Sequence, residues 1–470
     1  MDVVPPSPPT PGLRGRTATN RPPQSPSSRR PQTRRPQTRG TATLGTATRG
    51  TVRPAGVRSG PVDRWWTTVT VLVLMVASEY KLRLRADDQA IAGSADPFIL
   101  LEIACYAAVA AFLVRRFGLS VRPTRVRPVV FAAFAFVAVL VVSAAGSPYL
   151  SLALVRAAQL VVVLVLSRVI ARQGTRAGLH RLGHGFAALV AASVAFGVAV
   201  PFPRLPLQQD RFSWLYVHPV VAGEYVGIAT VLLTGYLASR SVGRPGPRLG
   251  WPAYAGLLVV CAGGLIATKT RGAIAGAVVG VLLVLWSLRQ GRRRLDLAAV
   301  VIGVVSVAAL VGASAVQSFL TRGESAAQLA SLNSRTTLWT AALHAFAENP
   351  LYGYGLGASR GLFLATIGLG GGHNALINVL VDAGLAGALC WLALLTTLVV
   401  AVVRVPYAAD GVTVDRALML GVIGFLLTDS VFTEGLGAAA NVASTWLFVI
   451  VGWTDLLLNR AAGVRPAPGR

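Results

Sequence analysis

The stretch that decides how this chain folds reads NSRTTLWTAALHAFAENPLYGYGLG over residues 333–357. After a spacer ending in Gly370, Gly371 and Gly372 it continues as HNALINVLVDAGLAGALCWLALL over residues 373–395. A polar segment with its own helical pattern leads into a glycine run. An apolar run then extends from Asn374 to Val403, longer than the roughly 20 residues a bilayer-crossing helix requires, and it carries Asp382. His373 therefore stands where an extramembrane loop enters the bilayer, at the positive end of a helix. That position suits acid/base or phosphate chemistry.

Composition agrees with a membrane reading. Of 470 residues, 54% are hydrophobic and 13% charged, with a mean hydropathy of +0.60. The pattern predicts an all-α polytopic membrane protein with about twelve spans: Trp65–Tyr80, Pro97–Val114, Pro128–Ala145, Tyr149–Ile170, Leu182–Val200, Val220–Leu237, Trp251–Ala267, Ala273–Leu288, Leu295–Ala315, Asn374–Val403, Ala417–Val431 and Val442–Leu458. The net charge of +26 does not indicate nucleic-acid binding, because the arginines lie in loops between apolar spans and form no continuous face. They follow the positive-inside pattern. Arg115, Arg116, Arg122, Arg125 and Arg127 fill one loop. Arg172, Arg176 and Arg181 fill the next on that side, followed by Arg240, Arg244 and Arg248, then Arg289 and Arg292 to Arg294. Both termini are expected in the cytoplasm, and Pro201–Pro219, Thr268–Gly272 and a large loop, Val316–Gly372, outside. Cys105, Cys261 and Cys390 fall in apolar spans, as packing thiols do.

Residues 1–64 are a basic Pro/Arg/Thr-rich tail, too polar to bury a core and predicted to be disordered and cytoplasmic. A transmembrane domain follows over residues 65–460, then a short cytoplasmic tail over residues 461–470. Within the large loop a helix is predicted from Ser334 to Glu348, capped by Ser334, with Leu338, Trp339, Ala342, Leu343 and Phe346 as one apolar stripe. It either lies on the outer leaflet or packs against the spans.

Few basic residues fall on the outer side, so those present are informative: Arg211, Lys269, Arg271, Arg335 and His373, with His218 and Asn374 beside them. Arginine presents a planar fork of donors matched to phosphate oxygens. Several forks and a helix N-terminus can bind a diphosphate without a metal, and His373 can take a proton from an attacking hydroxyl. Position alone leaves other readings open: Arg271 as a snorkelling side chain, Arg211 as a loop cap, His373 as a helix-terminal hydrogen-bonding group. Asp382 and Glu224 lie within spans and are expected to pair with arginines. No outward carboxylate pair suggests a metal, and no P-loop or dinucleotide fingerprint suggests a nucleotide, so no cofactor is expected.

Three segments, RFSWLYVHPVVAGEY (211–225), LIATKTRGAIAGAVVG (265–280) and the opening stretch, resemble in order, spacing and topology the signatures of the O-antigen ligase and polymerase superfamily, bacterial membrane glycosyltransferases of the GT-C type. The resemblance covers roughly Arg211 to Leu395. It implies a metal-independent, inverting transfer of a glycan from a polyprenyl-diphosphate donor to a hydroxyl on a glycan, lipid or protein acceptor, at the outer face of the cytoplasmic membrane. It further implies that Arg211 and Arg271 hold the donor diphosphate and that His373 activates the acceptor. Arg335 matches the arginine opening the loop helix. The chain departs from the family at Trp214, usually glycine, and at Thr270, often serine. The competing class is an anion or small-solute transporter. A carrier is expected to place its charges near the midplane in repeated, broken helices, whereas these charges gather at one face.

Overall fold

The computed structural model describes residues 61–83, 96–118, 127–200, 202, 210–215, 217–240, 245–289, 335–368, 371–406, 411–437 and 441–463. Among them the regular structure is helical: α1 (Pro61–Glu79), α2 (Pro97–Phe117), α3 (Pro128–Ala144), α4 (Leu150–Gln173), α5 (Arg176–Ala199), α6 (Pro219–Ala238), α7 (Trp251–Ala267), α8 (Arg271–Leu288), α9 (Arg335–Glu348), α10 (Ala358–Ile367), α11 (Ala375–Val403), α12 (Val412–Asp429) and α13 (Val442–Ala461). Proline occupies the first turn of α2, α3, α6 and α7, where its missing N–H is no loss and its fixed φ suits the helix. Asp96 and Thr175 cap α2 and α5 with side-chain oxygens.

Seven of these helices are long and apolar enough to cross a membrane; the chain is a multi-pass membrane protein. That is fewer than the twelve spans expected. The shorter apolar helices α3 and α7 stand at two more expected spans, and α1 and α12, diluted by Thr67, Thr68 and Thr70 or by Asp415 and Asp429, at another two. The expected span Leu295–Ala315, the start of the expected loop, the Ser334 cap and nearly all of the N-terminal tail lie outside the described residues. The expected boundary at residue 64 falls inside α1, which begins at Pro61.

The centre of the bundle is α6 and α13, both buried along most of their length. Helix α8 packs against α12 through Gly272, Gly276 and Gly280, one stripe at four-residue spacing. A Cβ at Gly276 would come within 2.9 Å of the Phe425 carbonyl oxygen, and one at Gly280 within 2.6 Å of that of Gly421. Small residues let two backbones approach in a membrane, where van der Waals contact replaces the hydrophobic drive. The stripe fixes where Arg271, the first residue of α8, stands.

The two ends of the bundle differ. At one, ion pairs join neighbouring helices. Arg168 and Arg127 bind the Asp455 carboxylate at 2.7 and 3.1 Å. Asp415 accepts from Arg176 Nε at 3.0 Å and from Trp453 Nε1 at 3.0 Å. At the other end lie the N-termini of α6, α8 and α11 and the C-terminus of α12. There the Phe212 N–H donates to the Ala267 carbonyl at 2.9 Å and the Ala375 N–H to that of Ser430 at 3.0 Å. The three sequence motifs meet at this second end.

Candidate functional site

Helix α11 is broken at Gly384, with φ 61° and ψ −159°. The NPLYGYG segment threads into the break. Two N–H groups left without helical partners, those of Leu385 and Ala386, donate to the carbonyls of Pro350 at 2.8 Å and Leu351 at 3.2 Å. The stranded carbonyls of Val381 and Asp382 accept from Tyr354 at 2.8 Å and Gly355 at 2.9 Å. These four backbone groups at the break are thus satisfied within the protein, as irregular backbone at membrane depth requires. Gly353 (φ 66°) and Gly355 (φ 100°) supply the left-handed turns.

Asp382 does not serve mainly as the arginine partner expected. Its carboxylate accepts the amides of Gly357 at 2.9 Å and Ser359 at 2.7 Å, capping α10, with Arg156 near enough to interact electrostatically. Asparagine would turn one acceptor oxygen into a donor facing an amide. Asp382→Asn is therefore expected to cost about 1–3 kcal/mol of stability and to raise protease sensitivity within residues 350–368. Wild-type melting and digestion would remove this role. Helix α9 buries Leu338 and Ala342 against Phe363 and Val381, and Ala345 is buried as well, so it packs against the spans. The predicted stripe is corrected at Leu343, which is 54% exposed, because Ala345 takes the inward position.

The turn before α11 is tightly held. The Gly372 N–H donates to Asn378 Oδ1 at 2.9 Å, and Trp339 Nε1 donates to the Gly372 carbonyl at 3.2 Å. A Cβ on Gly372 would meet Asn378 and Phe363, and one on Gly371 would meet the Glu434 carboxylate. Asn374 caps α11, accepting the Ile377 N–H at 3.1 Å and donating to the Val431 carbonyl at 3.3 Å. The capping role is therefore Asn374's, and His373 precedes the cap in a left-handed conformation, φ 47°.

Arg211 is pinned by the second motif. Its Nε donates to the Thr268 carbonyl at 3.0 Å and its Nη2 to Thr270 Oγ1 at 2.9 Å. Lys269, between those two acceptors, has φ 50°, and Leu215 in the first motif has φ 48°. The three non-glycine residues with positive φ among those described thus fall one in each motif. Strain of this kind, about 1–3 kcal/mol each, persists only where surrounding structure imposes it, and it clusters at functional sites. Arg271 opens α8 beside Gly272, where a Cβ would lie 2.8 Å from Phe432 Cβ and 3.0 Å from Asp429 Oδ1.

His218 caps α6: its Nδ1 accepts the Val220 N–H at 3.2 Å, which leaves the proton of a neutral ring on Nε2. Loss of water around the ring, the largest cause, and the electrostatic influence of Arg211, His373 and Arg360 nearby push His218 from 6.5 down to about 4. The ring is open at the surface, yet the guanidinium groups of Arg211 and Arg360 act in the same direction as desolvation, so the neutral form holds at pH 7. Arg211, His218 and His373 are therefore neighbours, and Lys269 and Arg271 belong to the turn that Arg211 grips. Arg335 opens α9; its side chain lies outside the described residues.

Sequence reasoning missed Arg360 on α10, which acts electrostatically on both His218 and Arg156. The search for rare basic residues in the outer loops, applied to GASRG, would have found it. It also missed the acids around Glu224: Glu79, Asp429 and Glu434. Their proximity corrects the arginine pairing expected of Glu224. Asp429 Oδ2 accepts from Thr433 at 3.1 Å. Trp214 is fully buried against Gly197, Tyr80 and Tyr225, so this departure from the family fills the core beside the site.

Residues 256–392 match the family model described as O-antigen ligase. The matched stretch holds Lys269, Arg271, Arg335, His373 and Asn374, while Arg211 and His218 precede it. No curated protein shows significant similarity to the chain. Carried by two of the three motifs and joined to seven apolar helices, the match supports membership of the O-antigen ligase and polymerase superfamily.

Proposed function

We propose that the protein is a glycosyltransferase of cell-surface polysaccharide assembly, a ligase or polymerase. It moves a glycan from a polyprenyl-diphosphate donor to a hydroxyl on a glycan, lipid or protein acceptor at the outer face of the cytoplasmic membrane. The observation that carries this reading is the convergence of Arg211, His218, His373 and Arg360, at the end of the bundle opposite the arginine-rich loops. Arg211 and Arg271 bind the diphosphate, and their charge stabilises it as it leaves. His373 takes the proton of the acceptor hydroxyl as its oxygen attacks the anomeric carbon from the face opposite the departing oxygen, so configuration inverts. His218, neutral with its proton on Nε2, donates a hydrogen bond and is too weak a base to compete. The arginines supply the positive charge that a divalent ion would otherwise bring.

Purified protein in liposomes, given a polyprenyl-diphosphate glycan and a panel of acceptors, is expected to release polyprenyl diphosphate in step with glycosylated acceptor, with and without EDTA. Absence of release from every donor and acceptor overturns the enzyme reading. Loss in EDTA restored by Mg²⁺ or Mn²⁺ overturns the metal-free mechanism.

Orientation is tested separately. His344 is exposed on α9, and the three native cysteines lie in apolar helices. His344→Cys is expected to react with a membrane-impermeant maleimide in intact cells. Reaction only after lysis reverses the topology.

A further inference from the structure

We propose that Thr270 is a positioning residue for Arg211: its hydroxyl sets the guanidinium at the donor diphosphate. This rests on the diphosphate reading of the site. Thr270 precedes α8 at the N-cap position, where a threonine oxygen ordinarily accepts an amide two or three residues ahead. It makes no such bond. Its hydroxyl turns across the bundle, donating to the Pro219 carbonyl at 3.0 Å and accepting from Arg211 Nη2 at 2.9 Å. A local rule broken without local gain marks a residue held for another purpose.

The geometry is specific. Arg211 Nε donates to the Thr268 carbonyl at 3.0 Å, so the Nε–Nη2 edge of the guanidinium is fixed by two parallel bonds. That sets the plane of the group, and with it the direction in which the Nη1 edge presents its charge. The turn at Lys269, φ 50°, brings the Thr268 carbonyl and the Thr270 hydroxyl to the same arginine. Gly223 leaves the space: a Cβ there would lie 3.0 Å from Thr270 Cβ and 3.2 Å from Oγ1. Thr270 is 5% exposed, so water does not replace its hydroxyl. Serine carries the same hydroxyl. Valine carries the same shape without it.

The test is binding of polyprenyl diphosphate by purified protein in detergent, read by equilibrium dialysis, for wild type, Thr270→Val, Thr270→Ser, Arg211→Ala and the double variant Thr270→Val/Arg211→Ala. A lost hydrogen bond to a charged group predicts that Thr270→Val raises Kd about 10–100-fold. Thr270→Ser should stay within about threefold of wild type. In the Arg211→Ala background the valine change should add little, because both act through one guanidinium. The donor KM should rise in step with Kd and the acceptor KM stay put. Valine also removes the bond from Thr270 to the Pro219 carbonyl, so the cycle with Arg211→Ala is the criterion and not the melting temperature. Wild-type affinity in Thr270→Val, failure of serine to restore it, or full additivity with Arg211→Ala each overturns the positioning role. If wild type itself does not bind polyprenyl diphosphate, the diphosphate reading falls and this inference with it.

Discussion

Replacing His373 with alanine is expected to lower glycan transfer by roughly 10²–10⁴-fold, the usual contribution of a positioned general base, while polyprenyl diphosphate still binds through the arginines. The structure removes the main competing explanation of this residue, since Asn374 and not His373 caps α11. His373 instead occupies a left-handed φ of 47°, imposed by the bonds that Asn378 and Trp339 make to Gly372. Such strain aims a side chain at the cost of stability. Three variants separate the roles. His373→Gln keeps hydrogen bonding without useful basicity and should be nearly as poor as alanine. His373→Asn tolerates the backbone conformation better, so a loss of the same size there excludes a backbone effect. Normal turnover in all three would make another group the base. Loss of donor binding in all three would move His373 to the diphosphate. His218 could not then take its place: its Nδ1 is engaged by Val220 and its surroundings push it down to about 4.

The membrane architecture was legible because it rests on long apolar runs, a signal that accumulates over many residues. The candidate site was legible where a residue type is scarce: arginine and histidine in outer loops stand out, Arg211 and His373 lie near His218, and Arg211 binds the turn that carries Lys269. Three kinds of information were not legible. Capping depends on which of two adjacent polar residues has the extended backbone, and the sequence His373-Asn374 does not show it. The role of Asp382 depends on a loop about 25 residues away folding back onto it, a contact no local pattern records. The glycines of the second motif read as small residues in a span, and only the approach of α12 shows that Gly276 and Gly280 are required there. Threonine at position 270, read as a departure from the family, keeps the one group the position uses, its hydroxyl.

Gly384→Ala is expected to be the most damaging single change in the third motif. At φ 61° and ψ −159° the backbone lies in a region open essentially to glycine. An added Cβ would also press into the backbone of Leu351 and Tyr352. That backbone cannot yield, because Pro350 and Leu351 already accept from Leu385 and Ala386 across the break. Strain and overlap together should exceed about 4 kcal/mol, the range reserved for named structural faults, and the variant should fail to accumulate in the membrane. Two glycines calibrate the effect. Gly368, φ 72°, has nothing within 4 Å of an added Cβ, so alanine there carries only the left-handed penalty of about 1–2 kcal/mol. Gly256, inside α7 with nothing within 4 Å, should accept alanine with a gain of about 0.5–1 kcal/mol. If Gly384→Ala accumulates and melts like the Gly368→Ala variant, the break in α11 is dispensable. If it accumulates but residues 350–368 become open to protease, the break is the joint that docks α10 onto Asp382. Arg360 would then leave the neighbourhood of His218, and transfer should fall although Arg211, Arg271 and His373 are all intact.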